Sequence, residues 1–217
     1  MTVRLAVFDC DGTLVDGQAA VCEAMESAFA FAALPAPPRT AIRRIVGLSL
    51  PQAVRHLAPG TAEDQLRLVV EAYKDSFRSS RTSGRLEEPL FDGIADLIAR
   101  LARSGWTLGV ATGKSDRGLT ACLTGHGLIG HFATLQTADR HPSKPHPAML
   151  EAALFEADAL AQDAVMIGDT VFDIDMARAA GVRAIGVDWG YHAPEELLEA
   201  GAEIVVSSCA ELGDYLA

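Results

Sequence analysis

Two carboxylates, Asp9 and Asp11, stand two residues apart where the apolar run RLAVF ends and Gly12 lets the chain bend. Carboxylates so placed can divide the labour at one reacting centre. One attacks phosphorus and forms an aspartyl-phosphate, while the other protonates the departing oxygen and then deprotonates water. An Asx turn closing a strand would use the same residue types. A second acidic pair, Asp169 and Asp173, follows the apolar run AVMIG and opens a helical pattern. Their spacing puts both carboxylates on one side of a first helical turn, where they suit a hard cation. Acidic residues also favour helix N-termini for dipole reasons alone.

Two further segments carry candidate chemistry. Ala111-Thr112-Gly113-Lys114-Ser115 reads as a strand end, a glycine and a helix start, offering a hydroxyl and free backbone N–H groups to a phosphate. Ser143-Lys144-Pro145-His146-Pro147 holds a lysine between two ring-restricted positions, so Lys144 could supply a fixed positive charge. A polar turn and a solvated lysine are the plain alternatives. Both acidic pairs and the Thr112 segment fall at strand C-termini, and that common placement favours a shared site.

The elements that would position these groups alternate between short β-branched runs and longer amphipathic stretches, the pattern of βαβ units around a parallel sheet. Strands are expected at Arg4–Asp9, Thr107–Thr112, Phe132–Thr137, Ala164–Gly168, Arg183–Val187 and Glu203–Val206. Helices are expected near Ile94–Ala102, Gly118–Gly125, Ala148–Phe155, Phe172–Ala180 and Glu195–Ala200, with Gly105, Gly181 and Gly201 as stop signals. Between Asp16 and Glu88 the sequence is Ala-rich and helical with no convincing strand, which implies an inserted helical domain. In it, SSRTSGR at Ser79–Arg85 reads as an exposed return linker, and Asp16-Gly17 and that linker read as hinges.

Composition narrows the partners. The chain has 217 residues and is 49% hydrophobic, enough for a sizeable core. Eighteen basic against twenty-nine acidic residues give a net charge of −11, which disfavours nucleic acid and anionic lipid. Cys10, Cys22, Cys122 and Cys209 show neither C-x-x-C spacing nor a dense framework and read as reduced thiols. The opening MTVRLAVFDCDG is too soon acidic for a signal peptide, so the expected compartment is the cytoplasm. The six histidines have no zinc-like spacing, and His146 is a variable position between prolines. Cys10 lies between carboxylates that raise its pKa, which suits packing.

Taken in order, DCDGT, VATG, SKPHP and GDTVFD resemble the haloacid dehalogenase superfamily over nearly the whole chain, in its phosphoglycolate phosphatase-like branch, and DWGY at Asp188–Tyr191 is similar to that branch too. The resemblance implies an α/β fold, a Rossmann-like parallel sheet core with an inserted α-helical cap, the core spanning residues 1–15 and 89–217 and the cap 16–88. It implies Asp9 as nucleophile and Asp11 as general acid and base. Thr112 and Lys144 would be catalytic groups that bind the phosphoryl group, with Gly113 and Arg44 beside them. Asp169 would complete a Mg²⁺ site with the Asp9 carboxylate and the Asp11 backbone carbonyl, and Asp173 would orient that shell. The implied partner is a small phosphorylated metabolite.

Asp11 argues against dehalogenation, since dehalogenating members lack an acid there. A sugar-phosphate mutase is the main alternative. Val46 and Leu50, in the stretch Ile45–Leu50, stand where mutases carry cations, although Arg43, Arg44 and Gln52 are near. A catalytically silent binding protein is the third reading, disfavoured because Asp9, Asp11, Thr112, Lys144 and Asp169 are all present. Gly17 replaces the hydroxyl residue usual in relatives. Trp189 and Tyr191 could shape the wall of the site. The individual metabolite and the oligomeric state are not specified by these residues.

Overall fold

The computed structural model describes residues 2–217. The first strand, β1 (Arg4–Phe8), has all but its first residue buried. Its side chains alternate between layers: Ala6 and Phe8 join one apolar cluster, Leu5 and Val7 another. This is the mark of a strand covered on both faces. The others are β2 (Trp106–Thr112), β3 (Thr134–Thr137), β4 (Ala164–Gly168), β5 (Arg183–Val187) and β6 (Ile204–Val206). All pair in parallel, in the order β3-β2-β1-β4-β5-β6. The chain winds outward from β1 in one direction and from β4 in the other, so the strand order switches between them. At that point helices leave on opposite faces and a crevice opens at the carboxyl ends.

Ten α-helices are found among the described residues. Beyond the insertion, α5 (Ile94–Arg103), α6 (Asp116–Gly125) and α10 (Cys209–Tyr215) bury Leu97, Leu123 and Leu212 against one face of the sheet. On the other face, α7 (Ala148–Ala157), α8 (Val171–Ala179) and α9 (Pro194–Ala200) contribute Leu150, Ile174 and Leu197. Gly105, Gly181 and Gly201 follow their helices with positive φ, as their stop-signal reading requires.

Between β1 and α5 lie α1 (Gln18–Phe31), α2 (Arg39–Arg44), α3 (Leu50–Leu57) and α4 (Glu63–Thr82). They enclose their own apolar cluster, including Met25, Phe29, Ile42, Val54 and Val69. The chain leaves and re-enters the sheet body side by side: Val15 bridges Leu90, and Asp16 N–H donates to the Pro89 carbonyl at 2.8 Å. The return linker is shorter than expected. Ser79–Thr82 form the last turn of α4, because the stripe Leu66, Val69, Tyr73, Phe77 keeps helical spacing and carries the helix through polar residues. Helix α10, which the sequence reading did not anticipate, starts at Ser208, whose hydroxyl accepts from Glu211 N–H.

Candidate active site

Asp9 is the first residue beyond β1, and its N–H still donates to the Ile167 carbonyl of β4 at 2.9 Å. The sheet therefore holds its backbone in line while the side chain faces the crevice. Asp169 follows β4 in the same way. Asp9, Asp169 and Asp173 are all buried, and each offers a carboxylate oxygen within 4.8 Å of the others. The cation among them is Lys144, fully buried, whose Nζ lies 2.9 Å from Asp9 Oδ1 and 2.6 Å from Asp173 Oδ1. One ammonium facing three buried carboxylates leaves negative charge uncompensated, the condition under which buried acids bind protons or metal.

The oxygen partners divide the cluster further. Asp173 Oδ1 takes Lys144, and its Oδ2 accepts from the Thr170 backbone N–H and hydroxyl. Asp173 thus caps α8 and pairs with Lys144 at once, and its carboxylate is fixed. Asp169 Oδ1 accepts from the Thr13 hydroxyl at 2.8 Å and Oδ2 from Tyr191 N–H at 2.9 Å, leaving each oxygen a lone pair. Asp9 Oδ2 is buried without any partner. Burial pushes the Asp9 carboxyl up to about 7 against the pull of Lys144, and burial likewise holds Asp169 well above its usual range. This donor set, all oxygen and short of positive charge, suits a metal ion of the hard class.

Three close approaches depend on glycine. A Cβ on Gly12, whose φ is 84°, would fall 2.2 Å from Asp169 Oδ2. One on Gly190 would fall 2.2 Å from Asp169 Cβ, and one on Gly113 would fall 2.5 Å from the Leu48 carbonyl oxygen. The first two let backbone close around Asp169. The third lets the loop after β2 meet the loop between α2 and α3.

In front of the cluster lies a cavity of about 320 Å³ with Asp9, Asp11, Thr112 and Gly113 along its sheet side. Lys144, Asp169 and Asp173 do not line it; they stand behind Asp9. The Thr112 hydroxyl accepts from Lys114 N–H at 3.3 Å. Of the residues expected at the site, Asp9, Asp11, Thr112, Gly113, Lys144, Asp169 and Asp173 come together, and Arg44 does not. Helix α2 turns the Arg44 guanidinium outward to Glu196, 2.6 Å away, half exposed and off the cavity. The exposed ion pair with Glu196 holds the side chain away from the cavity.

Lys114 was not singled out for a role, yet its Nζ lies 2.9 Å from Asp11 Oδ1 and 2.5 Å from Glu88 Oε1. Burial raises the Asp11 carboxyl above the usual range while Lys114 pulls it back. The signal was present in the strand-Gly-Lys order at Gly113-Lys114, but its partner Glu88 arrives from the far end of the insertion. Thr13 and His192 were likewise not singled out, and Tyr191, read only as part of the wall, holds Asp169 through its backbone N–H. His192 takes Val171 N–H on Nδ1, so its Nε2 is the nitrogen that donates to the Arg44 carbonyl, 3.2 Å away. It thereby ties the insertion to the start of α8.

A family model described as haloacid dehalogenase-like hydrolase matches residues 6–187. The chain is 35% identical over 211 residues to a protein of Dickeya dadantii named Probable phosphatase IndB, covering 96% of this chain and 91% of that one. It is 30% identical over 200 residues to a protein of Mesorhizobium japonicum named Phosphoglycolate phosphatase, covering 88% and 85%. A crystal structure titled as a predicted phosphatase from Clostridium acetobutylicum superposes with a TM-score of 0.89 at 25% identity, covering 100% of this chain and 99% of that one.

Proposed function

This chain belongs to the haloacid dehalogenase-like hydrolases and is a phosphatase of that family, and from that premise we propose that it hydrolyses a small phosphorylated metabolite through an aspartyl-phosphate on Asp9 in a Mg²⁺-dependent reaction. The observation that carries the reading is the buried triad Asp9, Asp169 and Asp173 with one ammonium among them and Asp9 Oδ2 unpartnered. The Asp9 and Asp169 carboxylates and the Asp11 backbone carbonyl would hold Mg²⁺. When bound, the ion would offset repulsion between the nucleophile and a phosphate dianion.

The chain's own residues supply the rest. Asp9 attacks phosphorus as the ester P–O bond breaks, and the Asp11 carboxyl passes its proton to the leaving oxygen. Asp11, now a carboxylate, takes a proton from water, whose oxygen displaces Asp9 and releases phosphate. Burial suits Asp11 to this exchange by making its neutral form accessible, and Lys114 stabilises its charged form. Thr112 and the N–H of Gly113 face the phosphoryl group, and Lys144, held by Asp173, fixes Asp9. Removing one such electrostatic contact costs about 10²–10³ in rate.

The helices of residues 16–88 form a cap in this reading, closed by Ser49 N–H donating to Ser143 Oγ at 2.7 Å and able to shield the intermediate from stray water. Val46 and Leu50 line the cavity at the positions where a mutase would carry cations, which favours a phosphatase over a mutase; the cap's basic residues at the cavity, Lys74, Arg78 and Arg81, lie on α4 instead. No helix among the described residues is long and apolar enough to cross a membrane. The four cysteines are free and buried, which suits the reducing cytoplasm. The test is phosphate release from a panel of phosphorylated metabolites with and without Mg²⁺. Mg²⁺-dependent release is expected, and a need for a bisphosphorylated activator with isomerised product would mean a mutase instead.

A further inference from the structure

The cap side of the cavity bears on which leaving group the phosphatase accepts, a question that rests on the reading above. Val21 and Met25 of α1, Val46 and Leu48 of the α2–α3 loop, and Tyr73 and Phe77 of α4 form this wall. Tyr73 and Phe77, four residues apart on one helix face, set their ring centroids 5.0 Å apart with planes inclined by 30°. The two rings are in contact and both border the cavity. Their distance from the chemistry is short, since Lys114 Nζ stands 5.9 Å from the Phe77 ring centre and also 2.9 Å from Asp11 Oδ1. Asp11 and the Phe77 ring therefore share Lys114 as a neighbour, which puts this wall within reach of a leaving group whose oxygen meets Asp11.

The charges agree with the shape. A short leaving group bearing a carboxylate would need a free cation beside Asp11, because an unpaired anion against an apolar wall is strongly disfavoured. The nearby cations are already paired: Lys114 with Asp11 and Glu88, Lys144 with Asp9 and Asp173, Arg81 with Glu88 at 3.4 Å. The other basic residues lining the cavity, Lys74, Arg78 and Arg117, are exposed, the first two paired with Glu71 and Asp75 on their own helix. They suit drawing a phosphate dianion inward against the net charge of −11. A cavity of about 320 Å³ also exceeds what a two-carbon group fills. The Tyr73 hydroxyl, which makes no hydrogen bond among the described residues, is available to a polar substituent.

We propose that the preferred substrates are phosphomonoesters whose leaving group carries a planar or apolar ring that lies against Phe77 and Tyr73. Uridine monophosphate and ribose 5-phosphate share the same departing alkoxide and differ by a ring, and benzyl phosphate and phosphoglycolate contrast ring with carboxylate. The experiment measures kcat/KM for these four with Mg²⁺, and for acetyl phosphate as a small probe that bypasses the wall. Ring-bearing members should exceed their partners by about tenfold or more, the scale of one ring stacked on an aromatic side chain. Phe77→Ala should shrink the ratio of uridine monophosphate to ribose 5-phosphate by about tenfold, and Phe77→Leu by less. Because it is a ratio within one preparation, partial unfolding cancels. Preference for phosphoglycolate, or a ratio unchanged by both variants, overturns the inference while acetyl phosphate turnover leaves the phosphatase reading standing. No turnover of any of the five, acetyl phosphate included, overturns that reading and the inference with it.

Discussion

Each carboxylate in the cluster is distinguished by what holds it. Asp173 has both oxygens engaged, Asp169 is held by one donor on each oxygen, and Asp9 keeps Oδ2 free. Asp11 differs again, because its counter-charge is Lys114 and not Lys144. Lys114→Met should leave Asp11 and Glu88 buried without their ammonium, raising the Asp11 pKa further. The step in which Asp11 must act as a base then moves to higher pH, with kcat near neutrality down by about 10²-fold. A pH–kcat profile superimposable on wild type would remove Lys114 from the account. The sequence displayed the acidic pairs and Lys144 because their spacing is local. It hid the Lys114–Glu88 contact, which spans 26 positions, and misplaced Arg44, whose direction is set by Glu196 of α9.

Among elements, the strands were legible from their apolar runs, and β4 and β5 begin and end where that pattern does. The last turn of α4 was not, because Ser and Arg favour loops while an amphipathic stripe that packs on α1 keeps them helical. Short α10 lacks enough periods to announce itself and is fixed by packing against α5. The loops between elements are where backbone contact decides geometry. Gly113→Ala keeps its N–H but places a methyl against the carbonyls of Leu48 and Gly47, so it should wedge the α2–α3 loop away from β2. We expect kcat/KM to fall by about tenfold or more with little change in the fold, read by kinetics beside circular dichroism. Wild-type kcat/KM would mean that the contact between these loops does not matter to turnover.

For the whole molecule, a buried acidic cluster couples stability to protons and to cations. An Asp9 pKa raised to about 7 contributes stability that is complete below the unfolded value of about 3.8 and is lost as pH rises through about 7, in the metal-free protein. Mg²⁺ should replace the lost protons. Added at a hundred times its Kd, the ion should stabilise the fold at pH 8 by about 2.7 kcal/mol. Near pH 5.5, where protons compete for the same oxygens, the effect should shrink. Thermal melts across pH with EDTA or Mg²⁺ check this, and an equal shift at both pH values would place the ion elsewhere. The negative field of the molecule was legible from composition, whereas the local balance of three acids to one lysine needed the switch between β1 and β4 to bring it together.

The central claim is that Asp9 carries the phosphoryl group. Its most direct test is acid-quenched mass spectrometry of the protein during turnover with Mg²⁺, comparing wild type with Asp9→Asn. A phosphoryl adduct mapping to Asp9, dependent on Mg²⁺ and missing from a variant that releases no phosphate, is the predicted result. Sustained turnover by Asp9→Asn, or an adduct on another residue, would contradict it.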